Sequence, residues 1–153
     1  MSEFLRVGMI GTHFMGRVHS NAWRSAPTFF DLPRPIVMEV VVGLEREQVR
    51  TFAKQWGWDG ASTDWRATVA RSPIDLVDIC TPNDLHAEHS IAALEAGRHV
   101  LCEKPLAGTL DDARAMRDAA RKAKRRGVRA IVSFNYRRCP ALAFAHQLVK
   151  SGR

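Results

Sequence analysis

The sequence predicts an α/β domain of the doubly wound kind, a parallel sheet with helices on both faces. Three observations lead there. Apolar, β-branched runs such as LRVGMI, MEVVVG and IDLVDIC read as strands buried on both sides, with no polar residue at every second position. Segments with helical spacing separate them, and Gly or Pro stands at most junctions. The first run leads directly into GTHFMG, Gly11 to Gly16. That is the kind of turn that joins a strand to a helix around a phosphate, with His13 where the usual G-x-G-x-x-G pattern has its middle glycine.

Taken in order, LRVGMI is a strand, and MGRVHSNAWRSAP runs at helical spacing to Pro27, which is expected to stop it. Residues 27–35 hold three prolines and read as a loop. MEVVVG is the next strand, EREQVRTFAKQW a charged helix ended by Gly57, and DWRATVARS a short helix. IDLVDICTP is a strand closed by Pro82. NDLHAEHSIAALEAGRHV follows as a helix with Asn83 in an N-cap setting, an apolar stripe through Ile91, Leu94 and Ala96, and a stop at Gly97. HVLCE is another strand. TLDDARAMRDAARKAKRRG is a long helix opened by a Thr109-x-x-Asp112 cap and closed by Gly127. RAIVSFN is the last strand and PALAFAHQLVKSG the last helix. Right-handed crossovers between parallel strands then make the doubly wound topology the natural one.

A chain of 153 residues with 46% hydrophobic and 25% charged residues is long enough for one domain with a real core. MSEFLR carries an acid, and nowhere is an apolar segment long enough to span a bilayer, so a cytoplasmic protein without membrane contact is expected. The three cysteines make no disulfide framework and no CxxC pair; Cys80 and Cys102 lie in apolar runs as small hydrophobes. The segment Arg114 to Arg129 holds eight basic residues and one acid, so it accounts for the whole net charge of +7. On one amphipathic helix, without interleaved aromatics, such a run is a solvated face and nucleic acid is not an expected partner. His86 and His89 stand at i, i+3, but no third ligand follows at a sensible spacing; no metal is expected, and His89 is expected to be exposed.

Ligands of open α/β sheets bind at the carboxyl ends of the strands. Here those ends are Gly11–Gly16, Gly43–Glu45, Thr81–Asn83, Glu103–Pro105 and Asn135–Arg138. Three stretches near these ends, GTHFMGRVHSNAWR, DICTPNDLHAEHSIAALEAGRHVLCEKPLA and FNYRRCPALAFAHQLVKSG, resemble the nucleotide-binding half of the Gfo/Idh/MocA oxidoreductases. The most specific strings are TPN-x-x-H and A-G-R-H-V-x-x-E-K-P. The resemblance implies a Rossmann-type fold and an enzyme that moves hydride between NAD or NADP and a secondary hydroxyl of a sugar-, inositol- or polyol-like substrate, working as a homo-oligomer in full-length form. It also implies that residues 1–135 are the dinucleotide-binding domain and 136–153 a connecting helix. That helix would lead to a C-terminal substrate domain absent here, leaving the isolated chain a fragment without turnover.

Carried onto this sequence, the resemblance places Gly11, Thr12, His13, Phe14 and Met15 at the cofactor's pyrophosphate, and Thr81, Pro82, Asn83 and His86 along its nicotinamide side. Glu103 and Lys104 close the site, with Lys104 touching cofactor and substrate as the catalytic residue. Tyr136 and Arg137, with Arg138 beside them, border the substrate crevice or anchor the missing domain. From the residues alone, Lys104 is equally a lysine paired with a surface acid, and Pro82 with Asn83 an ordinary turn and cap. Its position before Pro105 largely fixes the lysine's direction, and an ammonium there can stabilise a developing alkoxide. After the second strand, many members of this family have Asp-Arg or Gly-Arg, whereas here Leu44 follows Gly43 and Glu45 and Arg46 come one step later. Glu45 would repel a 2′-phosphate and Arg46 attract one, which leans the expectation slightly to NAD. His13 intrudes on the space where backbone meets pyrophosphate, so a weakened working site comes first, a histidine-assisted site second, and a domain that has lost the cofactor third; the rival to the dehydrogenase is a non-catalytic nucleotide-sensing or partner-binding module that keeps the fold.

Overall fold

The computed structural model describes residues 3–153. Six parallel strands, β1 (Leu5–Ile10), β2 (Ile36–Val42), β3 (Gly60–Ser62), β4 (Leu76–Ile79), β5 (His99–Cys102) and β6 (Ala130–Val132), form one sheet in the order β3-β2-β1-β4-β5-β6. The helices are α1 (Phe14–Phe29), α2 (Arg46–Trp56), α3 (Trp65–Arg71), α4 (His86–Glu95), α5 (Leu110–Lys124) and α6 (Pro140–Lys150). The expected doubly wound parallel sheet is therefore the observed one. Successive strands step away from β1 on one side and return to start again at β4 on the other. The sheet's topological switch falls between β1 and β4.

Because side chains alternate across a strand, β1 sends Val7 and Met9 to one face and Ile10 to the other. The first face packs Met38, Val41, Val49, Phe52 and Trp58 under α2; the second packs Val69, Ile79, Leu94, Val100 and Met116 under α3, α4 and α5. Val7, Met9, Val41 and Ile79 have no exposed surface, and burying a side chain of this kind stabilises by about 1.5–3 kcal/mol. The β1–β2 register slips between Val7 and Gly8, leaving Glu39 as the extra residue on β2, where it meets Arg6 at 2.6 Å.

Several elements differ from the sequence expectation. Pro27 does not stop α1, which runs to Phe29; a proline in the last turn removes one hydrogen bond, and the helix still closes with the Phe30 N–H on the Ala26 carbonyl. β3 was not expected: GAS has no apolar run and is a strand because Val40–Val42 of β2 offer it a free edge. Asn83 opens a 3₁₀ turn, Asn83–Leu85, and α4 begins only at His86 without a side-chain cap. The Thr109 cap forms as expected, its hydroxyl accepting the Asp112 N–H at 3.1 Å. On α5, Asp111 and Asp118 pair with Arg114, Arg117 and Arg121, and Arg126 reaches back to the Leu94 carbonyl. α6 buries none of its residues and leaves Leu142, Phe144 and Val149 exposed. Among the described residues, no helix is long and apolar enough to cross a membrane.

Candidate functional site

The crevice opens where β1 and β4 end side by side. The Gly11 N–H donates to the Val42 carbonyl at 2.9 Å, and the Cys80 N–H to the Ile10 carbonyl at 2.9 Å, so the turn is pinned from both neighbours. Gly11 sits at φ +111, and a Cβ there would lie 2.6 Å from the Cys80 carbonyl oxygen. A Cβ on Gly16 would collide with the Gly11 carbonyl, so these two glycines let turn, strand and helix close on one another. His13, the N-cap of α1, makes no side-chain cap bond. The first-turn N–H groups and positive dipole end of α1 are therefore left without a capping side chain, the arrangement that receives a phosphate.

His13 stands at the position where the pattern has its middle glycine. Its backbone is extended, at φ −76 and ψ −155, so no left-handed conformation is required of it. Its side chain is exposed at the crevice rim beside Thr12 and Arg17. Phe14 is likewise 74% exposed, so what it offers a ligand is its backbone in the first helical turn, whereas Met15 is half-buried.

Two cavities line the carboxyl edge of the sheet. One, of about 390 Å³, is bounded by Gly11, His13, Leu44, Glu45, Trp65, Thr81, Pro82 and His89. The other, of about 600 Å³, brings Met15 and Lys104 together with Phe134, Asn135, Tyr136 and Arg137. Leu44 is 89% exposed and Glu45 is exposed, so both stand at the rim where a ribose would meet β2. Lys104 is exposed, its peptide bond to Pro105 is cis, and Arg137 lies 5.4 Å from the Phe134 ring. Lys104, Tyr136 and Arg137 thus share one cavity. Asn83 is exposed at the turn, with its side chain near Gly108.

Three expected placements are corrected. His86 does not face the crevice; it is 1% exposed, and its ring nitrogens lie 2.8 Å from the Pro105 carbonyl and 2.9 Å from the Thr81 carbonyl. It braces the Thr81 turn against the Lys104–Pro105 loop. Glu103 is also turned inward, 5% exposed. His89 is buried instead of exposed: its ring stands edge-on to Trp65 with centroids 4.5 Å apart, and Nδ1 lies 3.2 Å from the Thr81 hydroxyl. Burial dominates its surroundings and holds its pKa below the ordinary 6.5. The i, i+3, i+7 spacing of His86, His89 and Ala93 on α4 carried this signal, for it places all three on the inward face.

Beneath the crevice lies a buried ionic network that sequence reasoning missed. His19 of α1 places Nδ1 2.9 Å from both carboxylate oxygens of Asp78 and Nε2 3.0 Å from Oε1 of Glu103. The Trp23 indole N–H donates to Asp78 at 2.7 Å, and Oε2 of Glu103 accepts the Lys104 backbone N–H at 3.2 Å. Burial alone would lower the His19 pKa, but hydrogen bonds and charges from Asp78 and Glu103 outweigh it and raise the value above 6.5. Burial and the adjacent Asp78 push the Cys80 thiol up, and burial pushes Cys102 up to about 11, so both stay protonated. An acid inside the apolar strand LVDIC was the available clue, since a fully buried carboxylate requires a partner.

An all-parallel sheet in this order, with a glycine turn and an uncapped helix at its switch point, defines a Rossmann-type dinucleotide-binding domain. The chain belongs to the Gfo/Idh/MocA oxidoreductase family: the model of the oxidoreductase family, NAD-binding Rossmann fold, matches residues 5–132. Levoglucosan dehydrogenase of Pseudarthrobacter phenanthrenivorans is 43% identical over 149 residues, which are 97% of this chain and 37% of that protein. D-glucoside 3-dehydrogenase of Escherichia coli is 34% identical over 122 residues, 79% of this chain and 33% of that enzyme. Among solved structures, an oxidoreductase domain protein from Kribbella flavida superposes with a TM-score of 0.94 at 54% identity, covering 99% of this chain and 39% of that one. Levoglucosan dehydrogenase in complex with NADH gives 0.90 at 42% identity, covering 97% and 39%. The chain therefore spans well under half the length of these relatives.

Proposed function

We propose that this chain is the cofactor domain of a dehydrogenase that moves hydride between NAD and a secondary hydroxyl of a sugar- or polyol-like substrate. The observation that carries it is the cavity in which Lys104 meets Tyr136 and Arg137 beside Met15 of the glycine turn. The relatives' names, levoglucosan and D-glucoside 3-dehydrogenase, point to the same substrate class. Residues 1–135 then form the nucleotide domain and 136–153 the connection to a substrate domain, a role suited to the exposed apolar side chains of α6.

The residues present fit the nucleotide. Thr12, His13, Phe14 and Met15 would hold the pyrophosphate through backbone N–H groups, over the turn that Gly11 makes, Leu44 and Glu45 the adenosine ribose, and Thr81, Pro82 and Asn83 the nicotinamide half. When bound, the nicotinamide supplies the hydride acceptor or donor. Lys104 Nζ donates to the substrate oxygen and stabilises its charge as it develops, while Arg137 and Tyr136 orient the other hydroxyls. Glu103 and His86 act from behind, setting the two loops.

Calorimetric titration of the chain with NADH and NADPH tests the cofactor assignment. Replacing Lys104 by Ala in the longer protein is expected to lower turnover at least about a hundredfold with NADH affinity nearly kept. Unchanged turnover would remove the lysine from the chemistry. NADH binding with no hydride transfer to any sugar or polyol would favour a non-catalytic nucleotide-sensing module.

A further inference from the structure

We propose that His19 is a positioning residue for Lys104: held by α1 as an imidazolium between Asp78 and Glu103, it clamps the lysine's loop to the helix that opens at the nucleotide turn. The functional side of this clamp rests on the dehydrogenase reading above.

Both ring nitrogens face carboxylates, at 2.9 Å and 3.0 Å. A neutral imidazole donates through one nitrogen and turns a lone pair on the other partner; with both partners ionised, only the doubly protonated ring satisfies both. The groups facing it are Asp78 of β4, Cys80 just beyond that strand, and Glu103 just beyond β5; Trp23, on its own helix, donates to Asp78. Asp78 is 0% and Glu103 5% exposed, so without the ring's charge two neighbouring buried carboxylates would stand uncompensated. The raised pKa of His19 agrees with this geometry.

The clamp reaches the lysine because one oxygen of Glu103 takes the His19 Nε2 proton and the other takes the Lys104 backbone N–H. It reaches the turn because His19 stands one helical turn beyond Gly16, and its neighbour Ser20 donates to the Gly16 carbonyl at 2.7 Å while accepting the Trp58 indole at 3.0 Å. His19, Asp78 and Cys80 also lie close enough together to ligate a metal ion. Their ligand atoms are instead committed to one another, with the Cys80 thiol protonated and Trp23 donating to Asp78.

The test uses the 153-residue chain, labelled with nitrogen-15. The His19 ring is expected to show two N–H protons from about pH 6 to 8. In His19→Gln, the Lys104 amide is expected to exchange at least about tenfold faster while the Val7 and Val41 amides, which report the intact sheet, keep their protection. Should His19→Gln fail to fold, Glu103→Gln removes one carboxylate and is expected to let the ring titrate to a single N–H near neutral pH. A ring with one proton in the unaltered chain, an unchanged Lys104 amide in His19→Gln, or an unaltered ring in Glu103→Gln would each overturn the clamp. In the longer enzyme, His19→Gln is expected to lower kcat at least about tenfold with NADH Kd and substrate KM within about threefold; a kcat left intact would also overturn it. Absence of turnover in the unaltered enzyme would count against the dehydrogenase reading alone, and the ring and amide spectra would still decide the clamp.

Discussion

Replacing Gly11 by Ala separates two effects that the structure makes calculable, with Gly57→Ala as its reference. Gly57 lies at φ +80 with nothing within 4 Å of a new Cβ, so Ala there meets only backbone strain, about 1–2 kcal/mol. Gly11 lies at φ +111, and its Cβ would stand 2.6 Å from the Cys80 oxygen and 2.7 Å from the Cys80 carbonyl carbon. That neighbour is backbone at the end of a buried strand and cannot swing aside, so overpacking adds about 1–3 kcal/mol. The expected total is about 2–5 kcal/mol for Gly11→Ala against about 1–2 for Gly57→Ala. Urea unfolding followed by tryptophan fluorescence measures both losses. Binding of NADH is expected to weaken in Gly11→Ala as the turn shifts away from Cys80, and to stay unchanged in Gly57→Ala. Equal stability losses would refute the claim that β4 is packed against the turn.

His13→Asp is expected to move stability and binding in opposite directions. An acid at this uncapped N-terminus adds about 0.5–1 kcal/mol of stability, yet repels the pyrophosphate and lowers NADH affinity about tenfold or more by calorimetry; parallel changes would contradict the assigned phosphate position. Glu45→Ala is expected to shift preference toward NADPH by about tenfold, and an unchanged ratio would place the ribose elsewhere. The depressed pKa of His89 sets a pH dependence: the unfolded chain takes up the proton first, so stability falls as pH drops through about 6.5. His89→Asn is expected to flatten that acid limb in urea midpoints, and a steeper limb would refute it. His19 acts with the opposite sign, its contribution being full below 6.5 and lost only as pH rises through its raised folded value.

Elements that announce themselves through local chemistry were legible in the sequence. Val40 to Val42 reads as strand without neighbours, and Thr109 caps α5 through residues only three positions away. The glycine turn and the Lys104 loop were legible because each is an ordered string at a strand end. What stayed hidden depends on distant partners: β3 exists only by pairing with β2, and His19 finds Asp78 and Glu103 across 59 and 84 residues of chain. At His13 the backbone is extended and asks for no glycine, so what this position turns on is the bulk of its side chain beside the phosphate site, as the weakened-site reading has it.

The sheet order bears on when the site comes into being. Arg6 at the start of β1 bonds Glu39, 33 residues on, and Asp75, 69 residues on. Closing the longer loop costs only about 0.6 kcal/mol more, since each doubling of length adds roughly that amount, but it must wait for the later segment to exist. A growing chain can therefore assemble β1 on β2 while the far wall of the nucleotide turn, Cys80 and Thr81, is still unmade. Affinity for the nucleotide then depends on β4 having joined, and NADH added during refolding reports the closure of β4 onto β1 in preference to that of β2 onto β1.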